Sequence, residues 1–150
     1  MIPPSMLGPR SSKLPKPVKT LPATFYRTAT GNELPRSELN AKGFNDNDHI
    51  LIGRDIASVE FRWPTVVGTD TCEKLDGEIY AVRTNLAKNR IVRVLFSPYG
   101  KTMFILRVFI KKATDGIKTP QHEIDLAKGR LADTKARAAA KAKAEKAKKS

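Results

Sequence analysis

Apolar residues recur along this chain in two rhythms, and the change between them marks its architecture. Ile52, Ile56 and Val59 return at helical spacing after Asn45, an N-cap residue with Asp46 and Asp48 in the first turn, and Trp63-Pro64 ends the run. Upstream, residues 23–28 have the composition of a short first strand, Gly31 and Asn32 of a turn. Pro35 suits the start of a short helix that Gly43 would close. From residue 78 onward the rhythm shortens to two. Strands are predicted over residues 78–84, 90–97 and 101–111, the last pair joined by a type I turn at Ser97-Pro98-Tyr99-Gly100. Thr119-Pro120 then opens a final helix with Glu123 and Asp125 near its positive end. Strand, two helices, three-stranded meander and helix describe an α+β domain: a small antiparallel sheet packed against an N-terminal helical hairpin and a C-terminal helix.

The two ends have a different composition. Residues 1–22 hold six of the ten prolines, four basic residues and no acid, which reads as a flexible basic arm. Residues 134–150 hold seven Ala and seven Lys or Arg with one Glu, a cationic, partly helical tail without an apolar stripe for docking. The body is therefore residues 23–133. No stretch reaches the roughly 20 apolar residues that cross a bilayer, and prolines interrupt any leader-like segment, so a cytoplasmic location without membrane attachment is expected. The one cysteine, Cys72, fits a reducing compartment.

Charge changes the picture more. The chain carries 28 Lys plus Arg against 15 Asp plus Glu, which calls for an acidic partner. Within the body, residues 33–78 hold ten acids and five bases, whereas residues 83–118 hold nine bases and the single acid Asp115. Alternation along the strands puts Arg83, Arg93, Arg107 and Lys111 on one face, opposite the rows Val92, Val94, Phe96 and Phe104, Leu106, Val108, Ile110. A wet sheet face gives polar alternation too, but with mixed signs. Four cations on one face suit phosphate, and RNA cleavage without metal would use them to stabilise charge at phosphorus. No Cys/His or carboxylate cluster implies a metal or another cofactor. The acid/base group is open: His49 and His122 read as surface or capping residues, leaving Lys111, Lys112 or Lys118, while Tyr99 could stack on a base.

The segments EIYAVRTNLAKNRIVRVLF and FILRVFIKKATDGIKTPQHEIDLAKGRL, with FYRTATGNELPRSELN and GRDIASVEFRWP upstream, resemble the phage-related branch of the RelE/HigB-like toxins of type II toxin–antitoxin systems. The resemblance spans residues 24–132. It implies a RelE-like compact domain and a ribosome-dependent, metal-independent mRNA endoribonuclease acting at the small-subunit decoding site. It also implies a cognate helix-turn-helix antitoxin, through which the pair would reach operator DNA. By this likeness Arg83, Arg93, Lys111, Lys112 and Lys118 fall on the basic positions that hold the scissile phosphate and neighbouring ribosomal RNA, the first four of them as the catalytic set; Arg107, Arg90 and Tyr99 join Lys118 as expected RNA contacts on their own charge and position in the chain. Relatives often carry His-Gly where this chain has Arg107-Val108, so acid/base work would fall to lysine, or the chain would cleave slowly or only bind. A ParE-like inhibitor of DNA gyrase and a non-catalytic nucleic-acid-binding protein are the alternatives.

Overall fold

A computed structural model describes residues 17–41, 43–112 and 119–149, with only the backbone at 112, 148 and 149. Its elements are β1 (Ala23–Phe25), α1 (Leu34–Leu39), α2 (Asp46–Arg62), β2 (Cys72–Asp76), β3 (Ile79–Leu86), β4 (Arg90–Tyr99), β5 (Thr102–Lys112) and α3 (Gln121–Lys149). The strands form one sheet in the order β1-β5-β4-β3-β2. The α+β architecture is as expected, but the sheet is mixed, because β1 runs parallel to β5 while the rest is antiparallel. Strand β2 has no counterpart among the predicted strands. Its residues Glu73, Lys74 and Asp76 hide it, since an edge strand tolerates charge that a central one does not.

Local chemistry sets the start of α2. The Asn45 side chain accepts a hydrogen bond from the Asp48 N–H at 2.8 Å, and the Asp48 carboxylate accepts from the Asn45 N–H at 3.1 Å, a reciprocal capping box. Two turns of α2 further on, Thr84 of β3 donates to Asp55 at 2.8 Å, tying helix to sheet. His49 donates from Nε2 to the Leu39 carbonyl at 2.8 Å and so caps the end of α1, the bland role expected of it.

Helices cover both sides of the sheet. Ile52 and Val59 of α2 pack on Val82, Val92, Val94 and Phe96, while Ala127 and Leu131 of α3 pack on Ile79, Ala81 and Leu95 of the opposite face. Leu21 is already buried, with its N–H bonded to the Glu60 carbonyl, and α3 passes through residues 133 and 134 without a break. Among the described residues no helix is long and apolar enough to cross a membrane.

Two expectations about β4 and β5 are corrected. Ser97 pairs with Phe104, Pro98 with Met103 and Tyr99 with Thr102, so the hairpin turns at Gly100-Lys101, with Gly100 at φ +62. Pro98 thus lies in the strand rather than at a turn corner, beyond the last β3 pair Tyr80↔Phe96, where a missing N–H costs no bond to β3. A bulge also places Leu106 between the pairs Leu95↔Arg107 and Phe96↔Ile105. The single row Phe104, Leu106, Val108, Ile110 is therefore broken. Leu106 and Phe104 join the α3 side, while Val108 joins Met103 and Ile105 under α2.

Candidate nucleic-acid interface

Register decides which basic groups meet. Arg83 pairs with Arg93, and Arg93 with Phe109, while Lys111 pairs with Ile91 and Arg107 with Leu95. Paired residues share a face, so Arg83, Arg93, Arg107 and Lys111 all lie on the α3 side of the sheet. That face is not the wet surface expected. Arg93 is 1% exposed, and its Nη1 donates to Glu73 at 3.0 Å and to the Thr119 hydroxyl at 2.6 Å. Burial and the neighbouring Arg83 cation lower its pKa, against the pull of Glu73. A guanidinium starts so high that it stays charged. Arg93 therefore anchors the start of α3 to the sheet as well as supplying positive charge.

Arg83 is placed differently. It is half-buried, its N–H donates to the Thr71 carbonyl at 2.8 Å, and its side-chain Nε is buried with no hydrogen-bond partner among the described residues. An unpartnered buried donor costs about 1–3 kcal/mol, a cost that an arriving anion would remove. Arg83 beside Arg93 is thus a cationic pair in which the buried member has a carboxylate and its neighbour has none among the described residues.

Arg107 is occupied by structural work. Its Nη1 donates to Glu38 at 2.6 Å and its Nε to both oxygens of Glu123 at 3.3 Å, and these carboxylates raise its pKa although burial acts to lower it. Glu38 also accepts the Val108 N–H at 3.0 Å and Arg130 Nη2 at 2.9 Å, while Arg130 Nη1 donates to the Leu106 carbonyl at 2.6 Å. This network closes the edge of β5 beyond the end of β1 and fixes α1 and α3 there. Phosphate contact by Arg107 would have to compete with two carboxylates.

Arg90 is not brought to this place. It shares the α2 side with Val92, where it holds Asp48 through two bonds of 3.0 and 3.2 Å and donates to the Gly43 and Ala87 carbonyls. Tyr99 lies six residues beyond Arg93, about 20 Å along the strand, with its ring against Lys135 and Phe104. The Lys112 side chain and Lys118 lie outside the described residues. Hence the sorted charge of the sequence does two jobs. Acids of the first half, Glu38, Asp48 and Glu73, neutralise bases of the second, Arg107, Arg90 and Arg93, across the fold. The excess that faces outward is smaller than the sequence suggests.

What the structure adds is His122. An open cleft of about 370 Å³ is lined by Arg107, Phe109, Lys111, Pro120, His122 and Glu123. Lys111 is 4% exposed in its wall, whereas the His122 side chain is 80% exposed, with Nε2 3.6 Å from Glu123 Oε1. Histidine exchanges protons near neutrality, which the arginines cannot do. The Arg93–Thr119 bond sets the first turn of α3 beside β5, and that is what carries His122 to the cationic row. The sequence signal for it was the helix start at Thr119-Pro120, which fixes residue 122 in the first turn.

A comparison with curated proteins finds no match to the chain. The family model of phage-derived Gp49-like proteins (DUF891) does match, over residues 41–132, a stretch that includes α2, β2 to β5 and the docked first half of α3, and the chain belongs to that family.

Proposed function

We propose that this protein is a toxin of a toxin–antitoxin pair and acts as a metal-independent endoribonuclease on ribosome-bound mRNA. The carrying observation is Arg83, whose buried Nε has no hydrogen-bond partner among the described residues, beside buried Arg93, whose strand partner Phe109 lines the cleft that holds Lys111 and His122. Family membership and the RelE-like order of motifs support the same reading. In the reaction, the ribose 2′-oxygen attacks phosphorus and gives up its proton to a base. The bond from phosphorus to the 5′-oxygen breaks, that oxygen takes up the proton the base received, and the products are a 2′,3′-cyclic phosphate and a 5′-hydroxyl. His122 fits the proton-transfer role, exposed at the cleft with its Nε2 3.6 Å from Glu123 Oε1. Arg83 contacts the phosphate, and Lys111 and Arg93 stabilise the charge that builds at phosphorus. The partner is a cognate antitoxin whose binding blocks this cleft.

The test is expression of the full chain with and without the neighbouring gene product, followed by mapping of transcript 5′ ends. New ends inside coding regions, lost in Arg83→Ala, support the reading. Intact transcripts with DNA-damage signalling would replace it with gyrase inhibition.

A further inference from the structure

The charge on α3 changes character along its length. In the half that lies against the sheet, each cation has a carboxylate: Lys128 with Asp76, Arg130 with Glu38, Lys135 with Glu78 and Arg137 with Asp133. The last fixed point is a clamp in which the Tyr26 hydroxyl donates to Asp133 at 2.7 Å and Arg137 donates to both Asp133 and the Arg27 carbonyl. Beyond Arg137 the helix continues to Lys149, and residues 138–147 are exposed throughout. The twelve positions 138–149 contain five lysines, six alanines and the single acid Glu145. They extend the rod by about 18 Å.

A helix that leaves its docking site usually carries an apolar stripe for another partner. This one has none, since every position from 138 to 149 is Ala, Lys or Glu. A protein groove would need apolar anchors at helical spacing, and a membrane surface would need large apolar residues on one side. At about 100° per residue, Lys141, Lys143 and Lys146 leave the axis on different sides. Cations around a thin rod suit phosphates that flank it, as along a nucleic-acid groove.

We infer that the projecting half of α3 is a sequence-independent docking arm for the phosphate backbone of base-paired nucleic acid, held at a fixed angle to the body by the Tyr26–Asp133–Arg137 clamp. It is separate from the cleft and does not depend on cleavage there. Each phosphate neutralised releases counterions, so the arm sets a salt dependence rather than a sequence preference.

The test compares the full chain with a variant in which Lys141, Lys143, Lys146, Lys148 and Lys149 are all alanine, a change that keeps helix propensity. Binding to a 20-base-pair RNA hairpin and to a DNA duplex of the same sequence is followed by fluorescence anisotropy between 50 and 300 mM KCl. The expected result is a log–log salt slope shallower by about four for both probes, and affinity at least tenfold weaker at 100 mM salt. A slope unchanged by the five substitutions overturns the proposal. So does a variant that loses binding to phosphatidylserine vesicles while keeping its affinity for both duplexes.

Discussion

Removing the Glu38 carboxylate tests whether the cleft is built on the edge network described above. Glu38 is 17% exposed and holds Arg107, Arg130 and the Val108 N–H at once. In Glu38→Ala the Val108 N–H loses its partner, at about 1–3 kcal/mol. Arg107 keeps Glu123, and Arg130 keeps the Leu106 carbonyl, so neither cation is stranded. The expected loss therefore lies near the lower end of the range for breaking a buried pair, about 3 kcal/mol. That corresponds to a melting temperature lower by roughly 10 °C. Glu38→Gln keeps an acceptor for Val108 and loses about half as much. Urea denaturation of the three proteins with circular dichroism reads both changes. A Glu38→Ala stability within 1 kcal/mol of wild type would refute the assignment of this carboxylate as the edge clamp.

Other outcomes follow from the same structure. Burial acts to raise the Asp48 pKa, but the Asn45 N–H and Arg90 outweigh it and hold the carboxyl below the usual range. Its stabilising effect is therefore present above about pH 4 and is lost as pH falls further. Asp48→Asn should be less stable at pH 7 and show a flatter stability curve between pH 4 and 2 in acid-titrated unfolding. Cys72 is 1% exposed, and burial with help from Glu73 pushes its thiol up to about 11. At pH 8 the native protein should leave a disulfide reagent unreacted and yield one thiol per chain in urea; rapid native reaction would contradict that burial. For His122→Asn, cleavage should slow at least a hundredfold, with RNA affinity within about twofold of wild type. A variant that cuts at the wild-type rate removes His122 from the mechanism.

What was legible in the sequence was local. The capping box of Asn45 and Asp48 lies within one helical turn, and period-two alternation placed Arg83, Arg93, Arg107 and Lys111 on a common side. What was not legible required knowing which segments meet. Glu38 and Arg107 are 69 residues apart, Asp48 and Arg90 42, and Glu73 and Arg93 20, so the neutralisation of the basic half by the acidic half is a property of topology. The bulge at Leu106 shifts parity without any glycine to announce it. Similarly, β2 reads as loop because its charged residues fit an edge, and Arg90 looks like a neighbour of Arg93 until strand parity sends it to the other face. His122 carries no constellation in sequence; Thr119 bonding to Arg93 supplies one in space.

The most direct measurement of the central claim is the map of transcript 5′ ends within minutes of inducing the full chain, set beside Arg83→Ala produced at the same level and shown to be folded. The account predicts fresh 5′-hydroxyl ends within translated coding regions for the native chain and none for the variant. Equal cleavage by both, or transcripts left whole while the native chain arrests growth, would contradict it.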